Sequence, residues 1–398
     1  MEAALSRVVE YVNRESPAIV HRRRLLHAMP ELAFREVQSA EFVAGALRSC
    51  GLHPETGIAG TGLTARLRFA RPGPTVLLRA DMDALPVCES TGLEYASRNQ
   101  GRMHACGHDG HMAIMLGVAG ALADLAASEA GQALGGSVLF VFQPAEEGQG
   151  GAEPMVRSGL MDGVDYCLAG HIWPDLDEGL VGVRTGPIMA SVLSFEVVIT
   201  GKGGHGSQPH LCSDALDAAA QLTCALQHIV SRRIDPMLPA VLTVASLNAG
   251  DTHNVIPQTA RLSGCARAFQ PETMEAFTRH IGQIAQGICA SVGVTCEVTC
   301  TQDDGPVVND AFVAEAVARA AGRVAGADRV VEPAMSLAGE DFSRYLHYAP
   351  GCMVFLGAGF AGAKPLHSPE FLFHDELVLP QGVKVFCASA LELLASGE

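Results

Sequence analysis

Short, nearly continuous apolar runs constrain this chain more than any other feature. Pro74–Asp81, Gly136–Phe142, Val164–Gly170 and Cys352–Leu356 are each too apolar to leave one face in water. Strands of that kind belong to a mostly parallel sheet covered on both sides, with helices as the crossovers. Helical spacing fills the intervals as that topology requires. Arg22–Leu26 and Val37–Leu47 carry periodic apolar residues on either side of a break at Met29-Pro30. Met112–Ala127 reads as a buried helix, and Ala311–Ala325 as another.

The pattern changes near Ser191. Val192–Thr200 alternates like a half-exposed strand, and Asp214–Val230 is helical with Asp214 near its start. Ala240–Leu247 and Thr259–Phe269 read as an antiparallel pair. Pro271–Val292 is a second helix, with proline suited to its first turn. Val294–Thr301 is a last strand. The order β-α-β-β-α-β is the ferredoxin-like unit. The expected architecture is therefore an α/β catalytic domain over 1–188 and 303–398, its mostly parallel sheet flanked by helices on both faces. An inserted ferredoxin-like α+β domain over 189–302 interrupts it.

Composition narrows the function. With 27 Lys and Arg against 43 Asp and Glu, the formal charge is −16. That argues against nucleic acid or an anionic membrane surface as a partner, and it requires a local cation for any anionic substrate. No run of about 18 uninterrupted apolar residues marks a membrane span. The first residues lack the pattern of a signal peptide. Twelve scattered cysteines without a CxxC pair suggest reduced thiols and a cytoplasmic setting.

Ligands of open α/β sheets bind beyond the carboxyl ends of the strands. The apolar runs lead there into Asp81-Met-Asp83, Glu146-Glu147, His171 and the loop Gly357–His367. A fifth cluster, His104 to His111, lies just before the long helix. Singly, each has an ordinary reading as a cap, a solvated edge or a hydrogen-bonded histidine. Together they bring thiol, imidazole and carboxylate donors to one rim, a donor set suited to mid-row divalent metals. Cys106 and His108, two residues apart in a glycine-containing loop, can face one ion.

The motifs Arg79–Pro86, Met103–His111, Phe142–Gly148, Gly170-His171, Gly201–Pro209, His253–Pro257, Gly339–Phe342 and Leu366–Pro369 run in order through the chain. In these the chain resembles the M20 metallopeptidase family, in its aminoacylase and hippurate hydrolase branch. The resemblance implies a metal-dependent amidohydrolase acting on N-acyl amino acids, with two divalent ions per subunit. Zinc or manganese, or else nickel or cobalt, would fill the site. Cys106, His108, Glu147, His171 and His367 match the metal ligands, with Cys106 bridging. Glu146 matches the general base, and Asp83 a group that orients a ligand. Asn254 and Arg267 match positions that hold the substrate's carboxylate. His205 matches a histidine reaching the partner subunit's active site as oxyanion donor. The inserted domain then serves as a lid and dimerisation unit, giving a homodimer or a tetramer. A dipeptidase or carboxypeptidase is the alternative within the family. A metal-binding protein without catalysis is the alternative outside it, and the presence of Glu146 beside all five ligand positions argues against it.

Overall fold

The computed structural model describes residues 1–396, which form two compact units. The larger takes in Met1–Ile188, Val308–Ala334 and the chain from Asp341 onward. The smaller takes in Met189–Val307 and Met335–Glu340.

In the larger unit an eight-stranded sheet has four parallel strands at its centre, in the order Gly135–Gln143, Arg71–Asp81, Tyr166–Asp177 and Gly351–Gly359. Antiparallel Gly62–Arg68 and then Glu55–Ile58 extend one side. The short strands Val181–Gly182 and Val330–Val331 extend the other. Alternate residues Val76, Leu78, Phe140, Leu168, Val354 and Leu356 join one core with the helices His108–Ala126 and Asp375–Ala395. The helix Glu2–His27 packs on both of these helices. The opposite face is equally dry, since Leu77, Val141, Ala169 and Met353 are fully buried. A short helix, Ala152–Met155, brings Met155 against Gly62 on that face.

Asp375–Ala395 is long and apolar enough to cross a membrane, but 78% of its apolar stretch is buried within the fold. It is a core helix, apolar all round because the sheet and other helices surround it.

Two element boundaries differ from the sequence reading. The long helix begins at His108 and not at Met112, because Gly107 adopts a left-handed conformation (φ 91°) that turns the chain directly into it. The strand expected to stop before His171 continues to Asp177, so His171 is a strand residue paired with Phe355.

The smaller unit is a four-stranded antiparallel sheet in the order Ala240–Ala249, Thr259–Ala268, Ser191–Thr200, Thr295–Asp304. Its two helices, Ala215–Arg233 and Pro271–Val292, pack through Leu222, Leu226, Phe277 and Ile281 onto Phe195, Val197 and Leu262. Asp214 caps the first helix by accepting the Leu216 and Asp217 N–H groups. The element order is β-α-β-β-α-β.

Candidate metal centre

Parallel register sets the rim of the larger unit. Asp81 pairs with Gln143, and Arg79 pairs with Ala169, two residues before His171. Side chains alternate along a strand, so Arg79, Asp81, Gln143 and His171 share one face near the carboxyl ends. Cys106 arrives from the loop just before the helix His108–Ala126, and His108 from that helix's first residue. Glu146 and Glu147 arrive three and four residues beyond Gln143. His367 arrives from the loop after Gly359, where its backbone N–H donates to the Ala105 carbonyl at 2.8 Å.

Seven of the expected residues converge there, the five matched to metal ligands together with Glu146 and Asp83. The donor atoms of Cys106, His108 and His171 lie within 4.8 Å of one another, and so do those of Cys106, Glu147 and His367. Cys106 is common to both groups. Its Sγ is 3.5 Å from His171 Nε2, and His367 Nε2 is 3.3 Å from Glu147 Oε1. Glu146 and Glu147 each place a carboxylate oxygen 3.9 Å from His108 Nε2.

Hydrogen bonds fix which atoms face inward. His108 Nδ1 donates to the Asp83 carbonyl at 2.9 Å, which turns Nε2 into the cluster. His171 Nδ1 donates to the Ile172 carbonyl at 2.8 Å with the same effect. Asp83 accepts the Glu146 N–H on Oδ1 at 3.1 Å and the Glu147 N–H on Oδ2 at 3.0 Å. One carboxylate thereby holds the loop carrying both glutamates and flanks the imidazole opposite them.

Two non-glycine residues at this rim lie in the left-handed backbone region: Ala145 at φ 57° and His367 at φ 67°. Such strain persists where surrounding contacts enforce it. Glu36 accepts the Ala145 N–H at 3.0 Å, and Gly151 donates to its carbonyl at 2.9 Å. The strain turns the chain sharply off its strand and points the adjacent glutamates back over the sheet.

The electrostatics describe a site short of positive charge. Burial alone would lower the His108 imidazole, but Asp81, Asp83 and Glu147 outweigh it and raise it to about 10. Burial pushes the Cys106 thiol well above its usual value, and the carboxylates of Glu147 and Glu146 push it further. Burial, with His111 beside it, lowers the His171 imidazole to about 3, so this ring is neutral at physiological pH. His108 Nε2 is buried with no hydrogen-bond partner among the described residues. A buried donor atom aimed at a thiol and carboxylates fits a divalent cation, which would replace the protons on His108 and Cys106.

Sequence reasoning missed the frame around these residues. Arg79 donates to Gln143 at 3.0 Å, to Asp81 at 2.6 Å and to Asp341 at 2.7 Å, all buried. Gln143 and the Ala152 N–H also donate to Asp341. The signal lay in Arg79-Ala-Asp81 and in Asp341 of the Gly339–Phe342 motif. Asp81 is engaged on both oxygens, by Arg79 on Oδ2 and by His111 on Oδ1. Trp173 stacks on Phe355 at 4.2 Å and meets the His171 ring edge-on at 5.4 Å.

The remaining expected residues lie in the smaller unit. His205 pairs with Val255 in a two-stranded ribbon, and the Gly206 N–H donates to the Asn254 carbonyl at 2.8 Å. His205 and Asn254 are therefore neighbours. His205 Nδ1 accepts the Ser207 N–H at 3.1 Å, which leaves Nε2 carrying the proton on an exposed ring. Arg267 is elsewhere. It pairs with Val192, whereas the ribbon adjoins the Thr200–Thr259 end of the sheet. At about 3.3 Å per residue the two ends of that strand are roughly 25 Å apart. Arg267 Nη1 donates to the Leu337 carbonyl at 2.8 Å.

Residues 77–392 match the family described as "Peptidase family M20/M25/M40". A relative named N-acyl-L-amino acid amidohydrolase, from Geobacillus stearothermophilus, is 41% identical over 77% of this chain and 80% of its own length. "Thermostable carboxypeptidase 1" from Saccharolobus solfataricus is 39% identical over 92% of each chain. The crystal structure of the Bacillus subtilis YXEP protein, described as a dinuclear metal binding peptidase of the M20 family, superimposes with a TM-score of 0.83. It is 34% identical, with 96% of this chain and 99% of that one covered. With a family match along most of its length and such relatives across nearly all of it, this chain is a hydrolase of peptidase family M20/M25/M40.

Proposed function

We propose that the chain hydrolyses the amide bond of N-acyl amino acids, with Cys106, His108, Glu147, His171 and His367 holding two divalent ions. The observation carrying the metal assignment is the sharing of Cys106 between two ligand groups, with Glu146 alongside. The substrate class rests on the relatives named as N-acyl amino acid amidohydrolase and N-acetyl-L-cysteine deacetylase. Thiol and imidazole donors favour zinc, and manganese, nickel and cobalt also suit a mixed set. Bound there, the ions would supply polarisation of the amide carbonyl and a water of lowered pKa.

Glu146 accepts the water's proton and returns it to the leaving nitrogen. The Asp83 carboxylate keeps Glu146 and Glu147 in register, so that one faces the water and the other the ions. His205 donates its Nε2–H to the developing oxyanion. Asn254 and Arg267 recognise the amino acid's carboxylate. Their separation along one sheet supports a division of labour between two subunits, with His205 and Asn254 offered to the partner's site. The homodimer is the simplest assembly for that exchange, and the free cysteines suit a cytoplasmic setting.

The test measures amino acid released from N-acetyl- and N-benzoyl-amino acids by metal-loaded enzyme, against dipeptides with a free amino group. N-acyl substrates should turn over faster. Glu146→Gln should keep its metals and lose about 10²–10⁴-fold in kcat. Dipeptides as the better substrates would replace this reading with a dipeptidase, as would a peptide C-terminus with a carboxypeptidase. Near-normal turnover by metal-replete Glu146→Gln would remove the base assignment.

A further inference from the structure

His111 stands among the ligand-type residues of the rim but is spent on other contacts. Its Nε2 accepts the Ile172 backbone N–H at 3.0 Å, so that nitrogen carries no proton. Nδ1 therefore holds the proton and donates it to Asp81 Oδ1 at 2.6 Å. Asp81 is anchored in turn by Arg79. Neither ring nitrogen of His111 is available to an ion, although Asp81, His108 and His111 together have the composition of a metal triad.

The Ile172 N–H explains why such a residue is needed. Pairing between Arg71–Asp81 and Tyr166–Asp177 stops at Arg79 and Ala169. Beyond that point a buried strand N–H has no carbonyl to meet across the gap, and an unpaired buried N–H costs roughly 1–3 kcal/mol. The His111 imidazole stands in for the missing strand. The same Ile172 offers its carbonyl to His171 Nδ1. Both backbone groups of Ile172 are thus gripped, one by His111 and one by the adjacent ligand. The rings of His111 and His171 also meet edge-on at 4.9 Å.

We infer that His111 is a positioning residue: through Ile172 it aims His171 at the metals, and through its proton it fixes the Asp81 carboxylate, which Arg79 holds on the other oxygen and whose Oδ2 lies 3.7 Å from His108 Nε2. The inference rests on the proposed metal centre and assigns a role within it that none of the five ligands has. Groups that orient ligands in this way are typically worth about 10–100-fold in metal affinity.

Cobalt(II) uptake by metal-stripped protein gives the test, read by the cobalt visible spectrum and by fluorescence of Trp173. That residue is the chain's one tryptophan, and its ring meets the His171 ring edge-on at 5.4 Å. His111→Phe preserves a flat ring and removes both polar contacts. It should bind cobalt about 10–100-fold more weakly, with the same stoichiometry and the same band positions at saturation. Asp81→Asn, which keeps the shape and an acceptor for the His111 proton, should weaken binding less. A His111→Phe protein that loads as tightly as wild type would overturn the inference, as would unaltered affinity in Asp81→Asn should the phenylalanine variant not fold. Loss of one cobalt or shifted bands would make His111 a ligand and overturn it equally. A wild-type chain that takes up no cobalt would instead remove the metal centre itself.

Discussion

Asp83 shows how much one carboxylate can organise. It receives two consecutive backbone N–H groups and flanks His108, so Glu146, Glu147 and the His108 ring share a single anchor. A comparable anchor lies outside the centre at Glu89, where burial opposes ionisation but His27, Thr91 and the Ser97 N–H outweigh it. They hold the carboxyl at about 2, below its ordinary 4.5. A depressed carboxyl stabilises the fold above its unfolded value and loses that contribution as pH falls through the folded one. Wild type should therefore melt higher than Glu89→Gln at pH 6, and the gap should close between pH 4.5 and 2. Thermal melts of metal-free protein across that range check it. A gap independent of pH would mean that shape, and not charge, matters at this position. At this scale the proposed ligands could be singled out in the sequence, because thiol, imidazole and carboxylate residues stand together in short motifs. The roles of Asp81 and His111 could not. Their residue types suit metal binding, and only the structure shows both Asp81 oxygens and both His111 nitrogens engaged by protein groups.

Elements place these residues through close approach. In the helix His108–Ala126, a methyl group on Gly110 would lie 2.4 Å from Ile172 Cδ1 and 2.9 Å from Phe373 Cζ. Ile172 is also the residue gripped by His111 and His171. Gly110→Ala gains about 1 kcal/mol of helix propensity, while overpacking a dense core typically costs about 1–3 kcal/mol. Both neighbours are enclosed, so the cost should win. We expect a net loss of about 1–2 kcal/mol in urea unfolding, together with weaker metal binding as Ile172 is pushed aside. Equal or greater stability would show that this contact yields freely. Most elements here were readable from periodicity, and Pro271–Val292 agrees at both ends. The helix start at His108 was not, because His108-Asp-Gly-His111 resembles a polar loop until tertiary packing buries it.

At the scale of the whole molecule, the ordering of His205, Asn254 and Arg267 along the smaller unit's sheet carries a kinetic prediction. His205 and Asn254 share one end while Arg267 occupies the other. If two subunits exchange the first pair, neither inactive variant Glu146→Gln nor His205→Ala is beyond rescue. Mixed under subunit exchange, they should form dimers with one intact site and regain part of the activity, whereas each alone stays about 10²–10³-fold or more below wild type. No recovery despite demonstrated exchange would confine His205 to its own chain or to no catalytic role. The inserted unit was visible in the sequence as a switch from continuous to alternating apolar patterning. The separation of Arg267 from Asn254 was invisible, since it depends on strand register.

The core helix Asp375–Ala395 also sets a timetable for synthesis. It packs on strands that all precede it in the chain, and His367 lies only just ahead of it. Until residues 375–395 are made, the sheet has a helix-long apolar furrow with nothing in it, and His367 joins the rim only shortly before. Partly made chains of this kind are prone to associate through such surfaces. Folding of the larger unit therefore waits until residues 375–395 have been translated, and a nascent chain halted before residue 375 should need a chaperone to stay dispersed.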